Sequence, residues 1–111
     1  MAVILPILNR VVAKSLILIN YKLNFGVCSA LGNSLQGNSK LLTKICLDNN
    51  GCLDLDFAKI LTGLKHLDNI KSIVYRRNQF GVQSLEAIIP LLQRRKPYHV
   101  EELRLVSCKV D

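Results

Sequence analysis

Leu42-Thr-Lys-Ile45-Cys-Leu47-Asp-Asn-Asn50 reads as a short strand with one buried face. Ile45 and Leu47 stand two residues apart, on the same side of an extended chain, while Lys44, Cys46 and Asp48 take the other side. The Asn50 side chain can then satisfy backbone groups where the chain turns away from a sheet. One such segment is a weak signal, because any half-buried strand produces it.

The segment recurs. Leu16-Ile-Leu-Ile19-Asn-Tyr21-Lys-Leu-Asn24 precedes it, and Ile70-Lys-Ser-Ile73-Val-Tyr75-Arg-Arg-Asn78 and Val100-Glu-Glu-Leu103-Arg-Leu105-Val-Ser-Cys108 follow. Each copy places apolar residues at its first, fourth and sixth positions and Asn or Cys at its ninth. The central residues Ile19, Ile45, Ile73 and Leu103 are 26, 28 and 30 positions apart, a mean period of 28. Between copies the apolar spacing becomes helical: Leu31 and Leu35; Phe57, Ile60, Leu61 and Leu64; Leu85, Ile88, Ile89 and Leu92. Leu5-Pro6-Ile7-Leu8 also matches Ile89-Pro90-Leu91-Leu92 at an offset of 84, three periods of 28. Four copies with helices between them predict an α/β solenoid of three to four repeats, in which apolar residues of successive units stack into one core.

The pattern resembles the ribonuclease-inhibitor-like leucine-rich-repeat family, which includes the Ran GTPase-activating proteins and many ciliary and innate-immune repeat proteins. The L-x-x-L-x-L-x-x-N/C core and the 28-residue period with a helix per repeat carry the resemblance across nearly the whole chain. Tyr21 and Tyr75 stand where that family usually has leucine. The resemblance implies a horseshoe segment with parallel strands on its concave face and helices on its convex face. It also implies a protein-binding role and, by analogy alone, regulation of a small GTPase.

In this frame the chain is one domain over 1–111. Residues 1–15 are the helix of a truncated repeat, 16–41, 42–69 and 70–99 are repeats, and 100–111 begin another. Neither end carries a polar cap, so a longer parent protein or neighbours in an assembly are expected to cover the ends.

Partner contacts are expected on the outward strand positions, which form three columns. These are Leu18, Lys44, Ser72 and Glu102; Asn20, Cys46, Val74 and Arg104; and Lys22, Asp48, Arg76 and Val106. Lys22, Asp48 and Arg76 would alternate in charge on strands about 4.8 Å apart, a ladder that reads first as solvated ion pairs. Arg76 and Arg77, with Arg94, Arg95 and Lys96, are candidate contacts for an anionic partner. Positive charge also suits helix ends, and few aromatics interleave with these residues, so the structural reading is favoured.

Fifteen Lys and Arg against eight Asp and Glu give a formal charge of +7 at pH 7, which favours an acidic protein surface, RNA or anionic lipid. A protein partner in a multi-subunit assembly is the leading expectation, with RNA in a ribonucleoprotein behind it. Cys28, Cys46, Cys52 and Cys108 have no metal-ligand spacing and read as reduced thiols, with Cys108 structural and Cys46 facing outward. His66 and His99 have no nucleophile or acid beside them by repeat geometry, and the glycines form no phosphate loop, so no enzyme, cofactor or metal is expected. At the N-terminus the apolar run precedes Arg10 and Lys14, the reverse of a secretory signal, and is too short to span a membrane. A mitochondrial presequence competes for these residues, but the repeat frame accounts for them. A cytoplasmic location is expected, with cytoskeletal, ciliary and mitochondrial settings as alternatives.

Overall fold

A computed structural model describes residues 14–38 and 41–110. Four strands form where the alternating segments lie: β1 Ser15–Ile19, β2 Lys44–Asp48, β3 Ser72–Arg76 and β5 Glu102–Val106. They lie side by side, all parallel, in the order β1-β2-β3-β5. Each crossover carries a helix: α1 Phe25–Asn38, α2 Asp54–Leu64 and α3 Val82–Leu92. Parallel neighbours need such long connections, and packing the helices on one face of the sheet buries the apolar side of both. Two short strands, β4 Gln79–Phe80 and β6 Lys109–Val110, pair in parallel beyond the main sheet.

The core lies between sheet and helices. Leu16, Leu18, Ile45, Leu47, Ile73 and Tyr75 enter it from the strands, and Leu31, Leu35, Phe57, Ile60, Leu61 and Leu64 from the helices. Tyr75 stacks on Phe57 with ring centroids 3.6 Å apart and planes 4° from parallel, and its hydroxyl donates to the Gln79 carbonyl at 2.5 Å. Burial pushes the Tyr75 phenol far above its ordinary pKa. Tyrosine thus fills the expected leucine position because its polar tip finds a partner at the next turn.

The first copy of the motif is shifted from its expected frame. Leu16 pairs in register with Ile45 and Leu18 with Leu47, so these two are the inward residues of β1. The sequence frame instead placed Leu16 beside Leu42, Ile19 beside Ile45 and Tyr21 beside Leu47. Leu18 is buried, whereas Ile17 and Ile19 are 52% and 53% exposed and Tyr21, beyond the strand, is exposed as well. Equivalent residues in successive units are therefore 29, 28 and 30 positions apart, as in Asn20 and Asn49, Asn50 and Asn78, Ser72 and Glu102. The 26-residue step and the three equal periods of 28 do not hold. The helix expected over 1–15 and the 84-residue match to Leu5-Pro6-Ile7-Leu8 fall almost wholly outside the described residues; Ser15 itself opens β1.

Each long strand ends in the same turn. Asn20, Asn49, Arg77 and Ser107, the residues just past the four strands, all have φ between 51° and 57°. Asn tolerates this left-handed region, and the repeating geometry holds Arg and Ser in it too.

Candidate partner-binding face

The outer face of the sheet follows from this register. Its columns are Ser15, Lys44, Ser72 and Glu102; Ile17, Cys46, Val74 and Arg104; and Ile19, Asp48, Arg76 and Val106. Nine of the twelve residues expected on this face lie there. Leu18 lies in the core instead, Asn20 forms the turn after β1, and Lys22 stands exposed on the following connection. All three misplacements come from the shifted frame of the first copy.

The corrected register changes the chemistry of the face. Ile17, Cys46 and Val74 form an unbroken apolar row across three strands, Ile19 widens it at β1, and Arg104 ends it at β5. On one side lie Lys44, Ser72 and Glu102, where the Ser72 hydroxyl donates to the Glu102 carboxylate at 2.5 Å. On the other side Asp48 accepts a 2.7 Å charged hydrogen bond from Arg77 Nε. The expected ladder of Lys22, Asp48 and Arg76 does not form, because Lys22 is off the strand and Arg77, swung back by its left-handed turn, takes the carboxylate. Arg77 holds the Asp48 carboxyl below its ordinary range, with burial opposing and Arg76 adding to the pull. Asp48 in turn raises the Arg77 guanidinium.

Below the face, an asparagine ladder fastens the turns. Asn78 Oδ1 accepts the backbone N–H of Asn50 at 2.9 Å and of Cys52 at 3.1 Å. Its Nδ2 donates to the carbonyls of Arg76 and Leu47 at 2.8 and 3.4 Å. Asn50 Nδ2 reaches back in the same way to Tyr21 and Leu18. Cys108 takes the next position and donates its thiol to the carbonyls of Tyr75 and Val106 at 3.3 and 3.6 Å. Asn24, read as the first member of the ladder, instead accepts the Val27 N–H at 2.9 Å and caps α1.

The basic residues divide by role. Arg94 donates to the Leu67 and Lys65 carbonyls at 2.6 and 2.5 Å and so closes the C-terminal end of α2. Arg77 is held by Asp48, while Arg76, Arg95 and Lys96 are exposed. All four cysteines are free. Cys28 and Cys52 are buried, and the Cys28 thiol together with burial pushes Cys52 well above the ordinary thiol range, which leaves no thiolate there. Cys46 is half-buried within the apolar row. Among the described residues no group of three or more His, Cys, Asp or Glu is placed to hold a metal, and no helix is long and apolar enough to cross a membrane.

No family model matches the chain, and no curated protein matches it. Among solved structures, the leiomodin-1 actin-binding site 2 superposes with a TM-score of 0.70 at 21% identity, over 86% of this chain and 54% of that one. The chain therefore spans about half the length of the structure it matches. At this identity the likeness speaks for the fold alone, and it agrees with what the register shows: a leucine-rich-repeat-like arrangement of parallel strands backed by helices.

Proposed function

We propose that this chain is a non-enzymatic protein-binding module, a segment of a leucine-rich-repeat horseshoe of the ribonuclease-inhibitor type. In this reading the outer face of the sheet is the concave surface and grips a protein partner. The observation that carries the reading is the apolar row Ile17, Cys46 and Val74 with Ile19 beside it on the outer face of the parallel sheet, about half exposed at Ile17 and Ile19, half-buried at Cys46 and buried at Val74, and flanked by charged residues. An apolar centre with a polar rim is the anatomy of a protein interface, and a soluble sheet face that binds nothing would more commonly be polar.

Arg76 and Arg104 beside the row, within a chain of formal charge +7, suit a partner that offers an apolar ridge edged with acidic residues. The leiomodin-1 structure is named as an actin-binding site, which makes actin filaments a concrete first partner to assay. One domain over 1–111 acting inside a larger cytoplasmic assembly completes the reading.

The test pairs Ile17→Glu/Ile19→Glu with Arg95→Glu/Lys96→Glu. Both pairs of residues are exposed, so both variants should fold as the wild type does. Co-sedimentation with actin filaments, and cross-linking capture followed by identification of the captured protein, should lose signal at least about tenfold for the isoleucine pair and little for the basic pair. Loss confined to the basic pair, with binding that collapses between about 50 and 200 mM salt, would replace the proposal with RNA binding.

A further inference from the structure

We infer that the rim of the molecule where the strands begin and the helices end is a docking surface for an anionic membrane, which it meets with a band of cations and with Tyr98. The inference goes beyond the partner assigned to the sheet face and is independent of it.

The four long strands are parallel, so every connection from a helix back to a strand arrives at this one rim. Backbone hydrogen bonds fasten the connections side by side. The Thr43 N–H donates to the Lys14 carbonyl, the Lys71 N–H to the Thr43 carbonyl and the Glu101 N–H to the Lys71 carbonyl, each at 2.8 Å. Arg94 donates across to the carbonyls of Lys65 and Leu67, and Lys71 Nζ to those of Pro97 and His99, which stitches the α2–β3 and α3–β5 connections together. The rim is therefore one continuous surface to which each unit contributes.

Charge is distributed unevenly over the fold. Lys14 precedes β1 and Lys44 opens β2. Lys65 and Lys71 lie between α2 and β3, and Arg94-Arg95-Lys96 between α3 and β5. Against these cations the described part of the rim sets Asp68, Glu101 and Glu102. None of the cations makes an ion pair among the described residues, where the one ion pair is Asp48–Arg77 at the opposite rim. At that opposite rim Asp48, Asp54 and Asp56 nearly balance the Lys and Arg side chains, so the positive excess gathers where the strands begin.

The kind of anion follows from what accompanies the charge. The helices reach this rim by their C-termini, so they present carbonyls there, and no helix N-terminus is available to chelate a fixed phosphate. Tyr98, 51% exposed and two residues past Lys96, is the one strongly exposed aromatic of the described rim, too little to stack successive bases of a nucleic acid. Cations on flexible stems suit anions that move laterally to meet them, as lipids in a bilayer do, and a tyrosine beside them suits the headgroup level. Each Lys or Arg brought to such a surface strengthens binding about fivefold, and salt weakens it.

The experiment sediments the chain with vesicles of pure phosphatidylcholine and of phosphatidylcholine containing about one third phosphatidylserine. Wild type should bind the anionic vesicles at least about tenfold more tightly, less so as salt rises from about 50 to 200 mM. Arg95→Glu/Lys96→Glu should weaken this at least about twentyfold, and Lys22→Glu/Lys109→Glu, the same change of charge at the opposite rim, less than about threefold. Circular dichroism melts check folding, and Lys14→Glu/Lys65→Glu replaces the first variant if its transition is lost. The chain has no tryptophan, so Tyr98→Trp reports on that position alone, and its emission should shift to the blue on anionic vesicles. Equal binding to both vesicles, equal loss from the two charge variants, or bound Tyr98→Trp without a blue shift would overturn the inference. So would a single-stranded RNA of about 20 nucleotides that displaces the chain from the vesicles at equal phosphate concentration, since the rim would then be a nucleic-acid surface.

Discussion

Asn78 uses both ends of its amide on backbone groups of two successive turns, and it does so while buried. Asn50 is its counterpart one unit earlier, yet its Oδ1 is buried without a partner. In the turn after β1 the Leu23 N–H goes to the Asn50 backbone carbonyl at 2.8 Å rather than to its side chain. The two residues look equivalent in sequence and are unequal in work. Asn78→Ala strands the backbone N–H groups of Asn50 and Cys52 inside the protein and takes a donor from the Leu47 and Arg76 carbonyls, the latter keeping the Asn49 N–H, so it should lower unfolding stability by at least about 2 kcal/mol. Asn50→Ala removes two donor contacts together with an unsatisfied acceptor, so it should cost roughly 1 kcal/mol or less. Urea melts of both variants decide the matter, and equal midpoints would mean that the ladder is not what fastens the turns. The Asn and Cys positions of the last three copies were legible in the sequence because only a side chain with amide-like or thiol donors suits that place. The inequality was not legible, since it depends on the path of one neighbouring peptide.

At the scale of elements, the helices pack closely where glycines permit it. A Cβ on Gly63 of α2 would lie 2.8 Å from Gly32 Cα of α1, and one on Gly32 would meet the Lys59 carbonyl. Alanine in a helix normally gains about 1 kcal/mol over glycine. Here Gly63→Ala and Gly32→Ala should reverse that sign and cost roughly 1–3 kcal/mol, because backbone rather than a flexible side chain must move. Gly26 is the control: its added Cβ would meet only Asn24 Oδ1 at 3.5 Å, so Gly26→Ala should stabilise by about 0.5–1 kcal/mol. Thermal melts of the three variants read this directly, and stabilisation by Gly63→Ala would remove the close approach of α1 to α2 from the account of the fold. The same scale holds the main error of the sequence reading. In Ser15-Leu-Ile-Leu-Ile19 four consecutive residues are apolar, so period-2 alternation does not say which pair faces in, and a register anchored on Asn24 turns Ile19 rather than Leu18 inward. The 26-residue step that resulted was the one spacing well short of the others. The structure instead sets Asn20 against Asn49 and joins these side chains at 2.9 Å. Likewise Leu85, Ile89 and Leu92 share the apolar type and helical spacing of the buried α2 residues and are nevertheless 49%, 40% and 45% exposed. Sequence periodicity reports which face a helix would bury, and only the neighbours determine whether that face is covered.

Over the whole molecule, two carboxylates link neighbouring units, and both make stability depend on pH in the same direction. Asp54, at the start of α2, accepts the N–H groups of Gly81 and Ser84 at 2.8 Å and of Gln83 at 3.0 Å, so one helix caps the next. Burial works to raise its pKa, but the hydrogen bonds from Ser84, Gln83 and Gly81 outweigh that and hold it below its ordinary value. Asp48 is lowered by Arg77. A carboxyl whose pKa is depressed on folding contributes its full stability above the unfolded value, near 3.9, and loses it as pH falls through the folded value. Below about pH 4 the chain should therefore lose the α2–α3 cap and the Asp48–Arg77 bond together. In the same window its carboxylates neutralise, and the surplus of fifteen Lys and Arg residues is left to repel itself. The expected urea midpoint at constant ionic strength is nearly flat from about pH 7 to 5 and drops steeply below about 4. Asp54→Asn should start with a lower midpoint and fall less, because the group whose protonation is being felt is gone. Added salt should recover part of the remaining acid loss by screening the positive charge, but not the part due to Asp54, whose partners are backbone dipoles in direct contact. An Asp54→Asn curve parallel to the wild type throughout would show that the carboxylate does not link the two helices energetically, and acid sensitivity would then belong to net charge alone.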